Sequence, residues 1–144
     1  PNGELFSHII GQIDNDNNGI SGLEKSFDYE LRSSKEALKL TVDKELQYLI
    51  REELVKAEDI FNNVGSAAIL MNIHNGEILS MISLPDFDLN KRKNLEDLKY
   101  INRATKGVYE LGSVFKTFTL AAGINYDVVS PETEFTDLKK KNYM

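Results

Sequence analysis

From residue 43 to about residue 61, apolar residues recur at spacings of three and four: Leu46, Leu49, Ile50, Leu54, Ala57 and Phe61, with Glu and Lys between them. That is the period of one helix face, and it predicts an amphipathic helix. Asp43 stands where an N-cap belongs, and Asn62-Asn63 followed by Gly65 supplies a stop. The face carrying Arg51, Glu52, Lys56 and Asp59 reads as solvated. Two β-prone runs follow, residues 66–73 and 77–83, around His74-Asn75-Gly76; Asn-Gly is a strong hairpin signal, so the runs pair antiparallel. The first run is apolar at successive positions, the pattern of a strand covered on both faces. Pro85-Asp86-Phe87-Asp88 then breaks the second strand, and residues 91–99 form a charged linker or short helix. Beyond Gly112, the residues Val114, Phe115, Phe118, Leu120, Ala121 and Ala122 surround most of a helix's circumference, so this helix belongs inside a domain. Gly123 and Asn125 offer its stop, and Ser130-Pro131-Glu132-Thr133 a turn. Residues 1–35, rich in Gly, Asn, Asp and Ser, read as loop with brief strand. Helices beside an antiparallel pair make the fold class α+β.

Composition narrows the function classes. The 144 residues, 41% apolar and 28% charged, suit one globular domain or parts of two. A net charge of −6 argues against a nucleic-acid partner, and the Lys139-Lys140-Lys141 run is too short to change that. With no cysteine there is no disulfide or thiolate chemistry. No apolar run approaches the roughly 20 residues needed to span a bilayer. Asp14-Asn15-Asp16-Asn17-Asn18-Gly19 opens like a calcium loop, but its twelfth position is Lys25, with Glu24 one residue early; the simpler reading is a turn. His8 and His74 stand apart with no ligand at suitable spacing, so no metal, no cofactor and no Ser-His-Asp triad is assigned.

The chemistry-bearing pair is Ser113 and Lys116. Residues three apart on a helix are neighbours, so the amine sits one turn above the hydroxyl. A serine hydroxyl needs a base to become a nucleophile, and a lysine serves only when deprotonated, which burial among apolar neighbours such as Val114, Phe115 and Phe118 promotes. The helix N-terminus leaves backbone N–H groups unpaired, and Ser113's own amide is half of a potential oxyanion hole. These parts suit acyl transfer. The plain alternative is an N-cap serine followed by a surface lysine.

The run from Asn102-Arg103-Ala104-Thr105-Lys106-Gly107 through Val108-Tyr109-Glu110-Leu111-Gly112-Ser113-Val114-Phe115-Lys116 resembles the first active-site motif of the penicillin-binding proteins, as does Gly76-Glu77-Ile78-Leu79-Ser80-Met81-Ile82-Ser83-Leu84-Pro85-Asp86-Phe87-Asp88 upstream. Residues 19–28 resemble the end of the pedestal that precedes the catalytic domain in class B members. Leu111 departs from the family, which usually has Pro there. The resemblance covers nearly the whole chain and leans to the cell-division member of class B over the elongation member. It implies the N-terminal part of a serine β-lactamase/transpeptidase-like α+β domain in residues 38–144, preceded by the end of a non-catalytic pedestal in residues 1–37. It also implies an internal fragment of a protein with an upstream membrane anchor, working on the periplasmic face of the bacterial inner membrane. By this resemblance Ser113 of the intact protein is expected to attack the penultimate D-Ala of a peptidoglycan stem peptide, with Lys116 as its base, and the acyl group to pass to an amine on a neighbouring strand. β-Lactams are expected to acylate the same serine, and other division or cell-wall proteins are expected partners. The family's second motif and its Lys-Thr/Ser-Gly strand are not legible after Lys116-Thr117-Phe118, so the fragment by itself is expected to be inactive. Competing readings are a serine β-lactamase or D,D-carboxypeptidase that passes the acyl group to water, a β-lactam sensor or scaffold without turnover, and an unrelated structural module.

Overall fold

The computed structural model describes residues 3–91 and 97–136, and the chain divides into two compact units, residues 1–107 and 108–144. The lysine run at residues 139–141 and most of the charged linker, residues 92–96, lie outside the described residues.

In the first unit, α1 (Ser7–Ile10), α2 (Gly22–Ser26) and α3 (Asp28–Ser33) precede the long α4 (Lys44–Phe61), β1 (Ser66–Met71), β2 (Ile78–Leu84) and α5 (Arg103–Lys106). The three short helices correct the reading of residues 1–35 as loop with brief strand; the strand character reduces to one bridge, Ile13 to Gly19. Each is six residues or fewer, too short to show a hydrophobic period. Asp14 does serve a turn: its carboxylate accepts from the Asn18 side-chain amide and from the Asn18 and Asp16 backbone N–H groups. Those bonds, the Asn18 side chain foremost, hold Asp14 below the usual carboxylate range.

Helix α4 forms where its period and caps place it. The Asp43 carboxylate accepts from the N–H groups of Glu45 and Leu46 at 2.8 and 2.9 Å, and Asn62 ends the helix in the left-handed conformation, φ 52°. β1 and β2 pair antiparallel, Ser66 opposite Leu84 and Leu70 opposite Ser80, with a bulge between Leu70 and Met71. Residues 72–77 connect them, longer than a two-residue turn, with Gly76 at φ 76° and the Asn72 and Asn75 side chains accepting from His74 and Glu77 N–H. Ile82, Leu84 and Phe87 are the fully buried apolar side chains among the described residues.

α4 covers one face of the hairpin, where Ser66 Oγ donates to Glu58 and Ser80 Oγ to Gln47. On the other face Arg103 donates its backbone N–H to Ser83 Oγ. Cover over β1 is one-sided: Ile69 and Met71 are about half exposed, against the expectation of a strand buried on both faces. α4 and α5 both reach β1, yet neither covers Ile69 and Met71 at its far end.

The polar connections within this unit are few and specific. Gln47, 1% exposed, uses its whole side-chain amide: Nε2 donates to Leu5 O and Met81 O at 2.9 Å, while Oε1 accepts from Ser80 Oγ at 2.8 Å and Met81 N–H at 3.0 Å. Facing both the N–H and the C=O of Met81, it occupies the place of a neighbouring strand along the free edge of β2. Arg51 is a second link, and it corrects the reading of its face as solvated. Its guanidinium forks onto Asp86 at 2.6 and 3.1 Å and reaches Glu4 at 3.0 Å, bonds that keep it firmly protonated.

His8 packs edge-on against Phe87, ring centroids 5.2 Å apart, and its Nε2 lies 3.3 Å from Pro85 O. Burial outweighs that hydrogen bond and the nearby Asp86, so its pKa lies below the ordinary 6.5. The unfolded chain therefore binds a proton that the folded chain resists. His8's contribution is fully present above pH 6.5 and is lost as pH falls from there through the folded pKa. Urea titrations at a series of pH values should show that decline in the native chain and a flatter profile in His8→Gln; identical slopes would remove His8 from the acid response.

Candidate active site

Ser113 and Lys116 lie in the second unit, described here through residue 136. Leu111 has ordinary helical angles, but Gly112 sits at φ 53°, a backbone that side chains resist. A Cβ at Gly112 would touch nothing within 4 Å, so glycine is required there by conformation and not by space. The chain then runs through a 3-10 turn, Gly112–Phe115, straight into α6, Lys116–Asn125. The sequence places Ser113 at the start of an α-helix; the structure puts it one tighter turn earlier. With three residues per turn, side chains i and i+3 fall on the same side, so the turn leaves Ser113 and Lys116 on one side of the chain. Ser113's N–H belongs to the first turn, where backbone donors lack helical partners.

Thr117 Oγ1 donates back to Val114 O at 2.7 Å, and Phe115 packs against Phe118 with centroids 5.4 Å apart. α6 passes through Gly123 and ends at Asn125, two residues beyond the first candidate stop. Gly123's carbonyl accepts from the returning Val128 and Val129 N–H groups, and a Cβ there would meet Val129 Cγ2 at 2.8 Å. Ser113 and Lys116 are both exposed, as are Val114, Phe115, Phe118 and Leu120, which departs from the expected buried helix. The described residues of this unit make one helix and a return, which cannot enclose an apolar surface of that width. Among the described residues no cluster of His, Asp or Glu could hold a metal ion.

Asn102 and Arg103, which open the run that resembles the family motif, are held by specific bonds. Asn102 Oδ1 caps α5 through Ala104 N–H at 3.0 Å, and Arg103 Nε donates to Leu84 O at 2.8 Å. Arg103's guanidinium lies across Gly65, where an added Cβ would come within 2.3 Å of Nε. Gln47 and the Arg51–Asp86 pair were not foreseen. Gln47 had a signal: it falls on the helix face of Leu46, Ile50 and Leu54, where a polar residue needs a partner.

The penicillin binding protein transpeptidase domain family matches residues 66–144, more than half of the chain and the whole of the Ser113 segment. The chain belongs to the penicillin-binding protein transpeptidase family. A probable peptidoglycan D,D-transpeptidase FtsI from Caulobacter vibrioides is 36% identical over 139 residues, spanning 94% of this chain and 24% of that protein. Stage V sporulation protein D from Bacillus subtilis is 33% identical over 158 residues, 90% of this chain and 24% of that protein. Among solved structures, penicillin binding protein 3 from Mycobacterium tuberculosis in complex with aztreonam superposes with a TM-score of 0.75 at 26% identity, over 92% of this chain and 32% of that one. The chain thus spans about a quarter of the length of these curated relatives. Within the penicillin-binding proteins it is of class B and of cell-division type, and its α+β fold is theirs.

Proposed function

We propose that this chain carries the nucleophile-bearing part of a peptidoglycan D,D-transpeptidase whose reaction proceeds through an acyl-enzyme on Ser113. What supports this is the Ser113–Lys116 spacing across a 3-10 turn that lies inside the matched transpeptidase span. Ser113 Oγ attacks the carbonyl carbon of the penultimate D-Ala and its proton passes to Lys116 Nζ. The C–N bond to the terminal D-Ala then breaks, and that amine leaves with the proton. An amine on a neighbouring stem peptide attacks the resulting ester and frees Ser113. Ser113's own N–H, in the first turn, is the donor assigned to the tetrahedral oxyanion in this reading, where one donor is worth about 10²–10³ in rate. A β-lactam enters the same step, its ring amide standing for the D-Ala-D-Ala bond; the aztreonam complex of the mycobacterial protein supports that reading.

The apolar surface of α6 fits this proposal, because a lysine base needs cover that the described residues do not supply. In the full-length protein that cover, the remaining active-site motifs and an upstream anchor holding the domain on the periplasmic face of the inner membrane come from outside these 144 residues. Residues 1–37 belong to the end of the pedestal in this reading, and 38–144 to the catalytic domain.

The test is peptide mapping of the full-length protein after reaction with a fluorescent penicillin, together with an assay for D-Ala release in the presence and absence of an acceptor amine. The expected result is a single adduct on Ser113 and acceptor-dependent cross-linked product. An adduct elsewhere would remove Ser113 from its role, and release to water alone would make the protein a carboxypeptidase.

A further inference from the structure

The first unit contains a cavity of about 510 Å³, within the size range of roughly 300–1,000 Å³ typical of small-molecule sites. No residue of 108–136 lines it. Part of its wall is apolar, built from Ile9, Leu23, Leu40, Val42, Met81 and Phe87, and polar side chains such as His8, Thr41, Asn102 and Thr105 complete it. Two features bear on what it could hold. Ser7, 1% exposed, stands beside the cavity, its hydroxyl shut off from it and without a hydrogen-bond partner in the structure, a state that buried polar groups rarely keep. Lys25 and Lys106 also line it, no Asp or Glu does, and neither lysine forms an ion pair with any described residue. In a chain of net charge −6, a cavity bounded by two cations and no anion is a local inversion of the overall field.

We propose that this cavity is a binding site for a single-chain anionic amphiphile, its apolar chain against Leu23, Leu40, Met81 and Phe87 and its anionic head paired with Lys25 and Lys106. The ligand meant is a free molecule in solution, which a pocket of about 510 Å³ can take one at a time. The site uses neither Ser113 nor Lys116, so its test stands apart from that of the transpeptidase reading.

Dodecanoate is a suitable probe, and the methionines are suitable reporters. The chain has three, and Met81 lies in the cavity wall while Met71 lies outside it on the open face of β1. With [methyl-¹³C]methionine labelling, dodecanoate should shift the Met81 signal saturably and leave Met71 in place. Lys25→Glu combined with Lys106→Glu should weaken that binding roughly tenfold or more, because charge-assisted contacts to the head are lost and reversed. An unchanged Met81 position in the free double variant shows that the fold is intact. Dodecyltrimethylammonium, with the same chain and the opposite charge, and phosphatidylglycerol vesicles, with anionic heads held in a bilayer, should leave Met81 unmoved. The proposal is overturned by no shift at Met81, by equal shifts at Met71 and Met81, by an equal response to the cationic probe, or by a response to vesicles alone.

Discussion

Lys116→Arg in the full-length protein is expected to reduce acylation by a fluorescent penicillin about 10²–10⁴-fold, the range general-base assistance contributes. Length and charge are nearly conserved in this substitution, so the loss isolates one property: a guanidinium does not surrender its proton at working pH, and an amine can. The position is suited to the comparison. Residue 116 stands three residues from Ser113 across the 3-10 turn, and Lys116 makes no ion pair among the described residues that the variant would break. Stopped-flow measurement of the acylation rate, beside a melt showing an unchanged midpoint, provides the readout. Acylation near the native rate would leave Lys116 as an orienting group and assign proton removal elsewhere.

The second large effect is structural. Gln47→Leu is expected to destabilise the first unit by roughly 3–5 kcal/mol, because Ser80 Oγ, Met81 N–H, Met81 O and Leu5 O lose a common partner in a site that is 1% exposed. Leucine supplies similar bulk, so the loss measures hydrogen bonding more than packing. Glu53→Gln is the control: its bond to Lys56 is between two exposed side chains, and such pairs are worth about 0–1 kcal/mol. Urea midpoints for the two variants give the comparison. A Gln47→Leu midpoint as close to native as that of Glu53→Gln would mean that water replaces the whole network.

The contrast between these positions explains what was legible in the sequence. α4 and the hairpin were readable because their signals are local: a cap at Asp43, a period of three and four, and Asn-Gly between β-prone runs. The spacing of Ser113 and Lys116 is local and visible in the sequence, and the tighter 3-10 turn beneath it is not. Arg51 looked solvated because its partners, Asp86 and Glu4, are 35 and 47 residues away, beyond any periodicity. Residues 1–35 escaped because their helices are short and held by tertiary contacts, such as His8 on Phe87. The half-exposed Ile69 and Met71 were misjudged for the opposite reason, since a pattern records what a strand is suited to meet and not which element meets it.

The bonds that residues 4, 5 and 8 make to Arg51, Gln47 and Pro85 also govern how tension would travel through this protein. They are short cuts across 47, 42 and 77 residues of backbone, arranged side by side. A pull on the chain near Glu4 is therefore shared at once by α4 and the segment after β2, while the backbone between residues 9 and 40 stays slack. The mechanical start of the hairpin is not the residue that precedes β1 in sequence but the first few residues of the chain.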